Sequence, residues 1–83
     1  MKNIYEIANE CYPMLLVHPA TNWEQEIHNY RALIIIEISK HYPDILDNCE
    51  DCVKVIQNSD VLEYKFSDKF IKRILEKYPE ALI

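Results

Sequence analysis

Two thiols separated by two residues, Cys49-Glu50-Asp51-Cys52, come nearest to a reactive site in this 83-residue chain. A redox dithiol needs its first cysteine at a helix N-terminus behind a strand, where the dipole lowers the thiol pKa. Here both thiols fall inside an apolar helical spacing, and Glu50 and Asp51 beside them disfavour the thiolate. A structural zinc site would need two further ligands from Cys11, His18, His28 and His41, but there is no second Cys-x-x-Cys and no His-x-x-x-His. Cys49 and Cys52 are therefore read as small hydrophobes in register with Ile45 and Ile56. No metal ligand and no cofactor is assigned.

Glu24 with His28 and Glu37 with His41 are carboxylate–imidazole pairs four apart, the spacing of a helix-borne acid–base dyad. On one helix the two histidines stand about 220° apart around the axis, so they do not share a site. Ordinary pairing on a helix surface accounts for both. Of the three serines, none sits in a Gly-x-Ser-x-Gly setting, and Ser59 and Ser67 have turn and cap explanations. The chain contains no glycine at all, which excludes the glycine-built loops that cradle nucleotide phosphates. The residues point away from an enzyme and assign no catalytic side chain.

Charge is the remaining uneven feature. The net charge is −5, which argues against direct nucleic-acid binding. Residues 43–60 hold Asp44, Asp47, Glu50, Asp51 and Asp60 against Lys54 alone, whereas residues 61–83 hold Lys65, Lys69, Lys72, Arg73 and Lys77 against Glu63, Asp68, Glu76 and Glu80. On a third helix, Asp44, Asp47 and Asp51 project from one side with Glu50 at its edge, opposite the apolar seam. That face is either simply solvated or a docking surface for a basic protein.

The elements that would position these groups follow from spacing. Asn3 caps a first helix carrying Ile4, Ile7, Ala8, Cys11 and Leu15, with its clean end near Tyr12 because Pro13 disfavours the α conformation there. Residues 14–17 are then either a new helical turn or extended. Thr21 with Glu24 is a capping box, Asn22 with Gln25 offers the same one register later, and a long helix runs to Tyr42. Its second half is apolar nearly all round, which places it centrally. Pro43, Asp44 and Asp47 suit the start of a third helix with the seam Ile45, Cys49, Cys52 and Ile56, ended by Asn58-Ser59-Asp60. Residues 61–66 alternate partly and are the least regular stretch. Ser67 caps a last helix with Phe70, Ile71, Ile74, Leu75 and Tyr78 on one face. Tyr-Pro recurs at 12–13, 42–43 and 78–79, read as tyrosine closing one helix and proline starting or forbidding the next.

The expected architecture is one all-α domain over residues 1–83, a compact antiparallel bundle of about four helices. The alternative is α+β, with residues 14–17 and 61–66 paired as a small two-stranded element. The functional expectation is a small acidic, non-enzymatic protein-binding module of the inhibitor, immunity or antitoxin kind, presenting Asp44, Asp47, Glu50 and Asp51 to a basic protein. Its sharpest form is a phage or mobile-element protein aimed at a nucleic-acid-handling enzyme, a source suggested by the richness in Ile, Lys, Asn and Tyr. A self-associating subunit, including a homo-oligomer, and a Cys/His metal protein are the other classes carried. An odd cysteine count and the lack of a membrane-length apolar run suggest the cytoplasm.

Overall fold

The computed structural model describes residues 2–17, 22–45 and 52–83. In chain order these form α1 (Ile4–Val17), α2 (Trp23–His41), β1 (Val53–Asn58), β2 (Val61–Phe66), α3 (Asp68–Lys77) and a 3-10 turn (Pro79–Leu82). The all-α bundle is not what the chain forms. Among the described residues, three α-helices and a two-stranded antiparallel sheet make an α+β fold.

The correction lies in the stretch expected to be a third helix. Residues 43–45 form a turn in which Asp44 takes a left-handed φ of 67°, which no helix start tolerates. Residues 53–58 are a strand, with Val53 and Val55 buried and Lys54 and Ile56 exposed. The spacing of Cys52, Val53 and Ile56 fits a helix, but Val-Lys-Val-Ile also alternates, and its β-branched side chains pack better on a pleated surface. β2 pairs with it in the register Val53 to Phe66 through Asn58 to Val61. The two strands are joined by Ser59-Asp60 alone. Such two-residue turns favour glycine; in its absence Ser59 adopts φ 56°, at a cost of about 1–2 kcal/mol. Within the α+β alternative, the strand at 61–66 is present but its mate is 53–58, because residues 14–17 belong to α1. α1 runs through Pro13; the proline sits on the exposed side, where the carbonyl four residues earlier can turn to water.

The other helix starts are where the sequence puts them. Asn3 Oδ1 accepts from the Glu6 amide, Asn22 Oδ1 from the Gln25 amide, and Ser67 Oγ from the Phe70 amide. Asn22 rather than Thr21 caps α2; Thr21 lies outside the described residues.

α2 is central as expected. It packs on α1 and on β1, with Tyr30, Ile34 and Ile38 turned inward against Ile4, Ile7, Ala8 and Cys11 of α1. Val53, Val55, Leu62 and Phe66 close the core from the sheet, and Phe70 and Ile74 from α3. Fully burying an isoleucine is worth about 1.5–3 kcal/mol, so this shared core is the main source of stability. Two Tyr-Pro pairs behave as read: Tyr42 and Tyr78 end α2 and α3, and their rings meet at 5.2 Å. The buried Tyr42 hydroxyl donates to the carbonyl of Lys2, and Asn3 Nδ2 donates to the carbonyl of Ile83, so the two chain ends are tied together. Tyr12 instead lies inside α1 and stacks edge-on against Tyr30.

Candidate docking surface

The acidic residues expected to dock a partner begin with Asp44, which is exposed in the turn after α2; Asp47, Glu50 and Asp51 lie outside the described residues. What surrounds Asp44 is a set of α3 side chains gripping backbone. Arg73 Nη1 donates to the carbonyl of Ile45, Lys77 Nζ to that of Asp44, and the Tyr78 hydroxyl to that of Pro43. These donors satisfy carbonyls that a continuing helix would otherwise have paired, and they hold the turn with the Asp44 side chain outward.

A second surface was not foreseen. At the far end of the hairpin, residues 56–61 are all exposed. Ile56 and Val61 are each about half open to water, at 48% and 49%. Register puts Ile56 opposite Glu63 and Lys54 opposite Lys65, so the outer face of the sheet is basic at its root and apolar and acidic toward its tip. Asp60 and Glu63 supply that acidity, and Glu63 accepts from Asn58 Nδ2. The signal was present in the sequence: two six-residue runs rich in β-branched and aromatic residues, separated by two turn residues.

Among the described residues, concavities lie on either side of the sheet's packing against the helices. A cavity of about 710 Å³ opens between α2 and the root of the hairpin, lined by Arg31, Lys54 and Lys65 over Ile27, Val53 and Phe66. Arg31 Nε donates to the carbonyl of Val53, pinning β1 to α2. A smaller one, about 380 Å³, is lined by Asn9, Tyr12, Tyr30, Glu63 and Tyr64. Two of its three tyrosines are engaged by hydrogen bonds: Tyr30 donates to the carbonyl of Ala8, and Tyr64 to Asn9 Oδ1.

The cysteines need a correction too. Cys52 is fully buried, as a core position should be, but it is disulfide-bonded rather than a packed thiol. A disulfide sulfur is no thiolate, so Cys52 does not serve as a metal ligand in this state. Cys49 lies outside the described residues. Cys11 is free, and burial, helped by Glu37 and Glu10, pushes its thiol up to about 11, which makes it unreactive near neutrality. Among the described residues no three of His, Cys, Asp and Glu cluster as a metal site. His28 and His41 sit on α2 in separate surroundings.

No family model, no curated protein and no solved structure matches this chain. No helix among the described residues is long and apolar enough to cross a membrane.

Proposed function

We propose that this chain is a small, acidic, non-enzymatic protein-binding module of the inhibitor, immunity or antitoxin kind that docks a basic protein partner. The observation that carries the reading is the hairpin tip, where Ile56 and Val61 stand half-exposed beside Asp60 and Glu63. Exposed apolar side chains with acids beside them suit an interface in which the apolar pair is desolvated and the acids steer association. Asp44 adds an exposed acid elsewhere on the surface. The acidic set Asp44, Asp47, Glu50 and Asp51 belongs to the same proposal, whose sharpest form is a phage or mobile-element protein aimed at a basic nucleic-acid-handling protein.

Cytoplasmic residence is part of this reading, and the Cys52 disulfide weighs against it, since such bonds persist mainly in oxidising compartments. Thiol labelling of the protein taken directly from its cells decides that point. The docking proposal is tested by parallel affinity capture with wild-type protein and with an Ile56→Ser, Asp60→Lys, Glu63→Lys variant. The expected result is a basic protein held by the wild type, released by salt and missing from the variant. Equal recovery on both proteins removes the tip from consideration; the same comparison with Asp47→Lys, Asp51→Lys then tests the acidic segment.

A further inference from the structure

The outward side of α2 is the least explained surface of the fold. With Tyr30, Ile34 and Ile38 turned into the core, a strip about 120° around the helix from Ile34 carries Glu26, Asn29, Leu33, Ile36 and Lys40, part-buried at the first three and exposed at the last two. Their spacing alternates three and four, the repeat that lets one helix seat against another along a seam. Leu33 packs against the edge of the core while staying partly open, and Ile36 is 51% exposed. This apolar centre is bounded by a carboxylate at one end and an ammonium at the other, about 21 Å apart along the axis.

We propose that α2 pairs antiparallel with α2 of a second copy of this chain, with Leu33 on the two-fold axis. In that arrangement Leu33 meets Leu33 of the second copy, Ile36 lies beside Asn29 of the second copy, and Glu26 meets Lys40 of the second copy at both ends. Charge chooses the direction: a parallel pair would set Glu26 against Glu26 and Lys40 against Lys40. Opposed helix dipoles favour the same choice. Lys40 is held within its own chain by Glu37 at 3.0 Å, but this is an exposed pair three residues apart, weak enough to be exchanged. The surface is isologous, so it closes at two subunits and does not extend into a filament. The pairing is independent of the hairpin tip, which lies on a different element.

Sedimentation of the full chain from low micromolar to millimolar concentration, with circular dichroism as a check on folding, tests the proposal. A mass of two chains is expected for the wild type and of one chain for a folded Ile36→Asp variant. Glu26→Lys and Lys40→Glu should each weaken the dimer roughly 3–10-fold, and the double exchange should restore it. A wild type that stays monomeric across the range, a dimer that survives Ile36→Asp, or a double exchange no better than the single ones overturns it.

Discussion

α2 and α3 are both helices capped by a side-chain oxygen, yet they use their surfaces differently. α3 buries Phe70 and Ile74 and turns Arg73, Lys77 and Tyr78 onto the backbone of the turn after α2. Its polar groups close the fold. α2 buries Tyr30, Ile34 and Ile38 with their neighbours on α1 and the sheet, but Leu33 and Ile36 remain at least partly open. Large apolar residues open to water are the surface on which association can be built: α2 carries Trp23 and Ile36, and α3 carries Leu75.

The sharpest way to break this comparison is to place one charge on each side of α2. Ile34→Asp puts an unpaired carboxylate where the side chain is 0% exposed, at a cost of several kcal/mol against a total stability of about 5–8 kcal/mol. No cooperative melting should remain. Ile36→Asp, two residues on, should keep native circular dichroism and a melt within a few degrees of a wild-type monomer. If the two variants behave alike, the two faces of α2 are not distinct.

The alkaline limb of stability sharpens the α1–α2 contact. Burial raises Cys11 from 9.0 to about 11 and Tyr30 from 10.0 to about 12, with Tyr64 and Cys11 adding to the latter. In both, the folded state favours the protonated, neutral form. Their contribution is therefore complete below about pH 9 and is lost as pH rises through about 11 for the thiol and about 12 for the phenol. Each shift corresponds to a loss on the order of 2 kcal/mol. Denaturant midpoints measured upward from pH 8 should begin to fall near pH 9, and in Cys11→Ala the onset should move up by roughly one unit. A midpoint flat to pH 12 would contradict this burial.

For α3, Arg73→Met keeps the stem and removes the charged donor to Ile45. A hydrogen bond to a charged group is worth about 1.5–3 kcal/mol, so a loss near the lower figure is expected in urea unfolding, with the helix content unchanged. No loss would mean that the grip on residues 43–45 is incidental.

The same contrast explains what the sequence discloses. Helix starts are local: Asn3, Asn22 and Ser67 each bond an amide three residues on, and each was legible from its own neighbourhood. The hairpin is not local in that sense. Cys52, Val53 and Ile56 satisfy helical spacing as well as Val53 and Val55 satisfy alternation, and the choice depends on β2 lying opposite and α2 lying beneath. An i, i+3, i+4 pattern over a few residues cannot tell these apart. Pro43 suits a helix start and Asp44 beside it suits the positive end of the dipole, whereas Lys77 grips the Asp44 carbonyl and its backbone takes a left-handed turn. The docking tip was hidden for the same reason as the hairpin, since Ile56 in a helix faces the core and in this strand faces water.

The smallest effect expected distinguishes the two helix caps. Asn22 and Ser67 accept from amides at 2.8 and 3.2 Å, so bond length alone suggests that Asn22 matters more. Position argues the opposite. Trp23, Glu24 and Gln25 are exposed, so an uncapped α2 can fray its first turn without disturbing the core. Ser67 stands between β2 and α3, its amide donates to the carbonyl of Cys52, and the residue it caps through is Phe70, which is 0% exposed. Loss of this cap cannot be absorbed locally. Replacing either residue by alanine removes a bond worth about 1 kcal/mol. In Ser67→Ala that figure should appear as a global loss, lowering the melting temperature by roughly 4–8 °C. In Asn22→Ala it should appear mainly as faster hydrogen exchange at the start of α2, with a smaller change in melting. Equal melting losses would show that the first turn of α2 is as tightly coupled to the core as the start of α3.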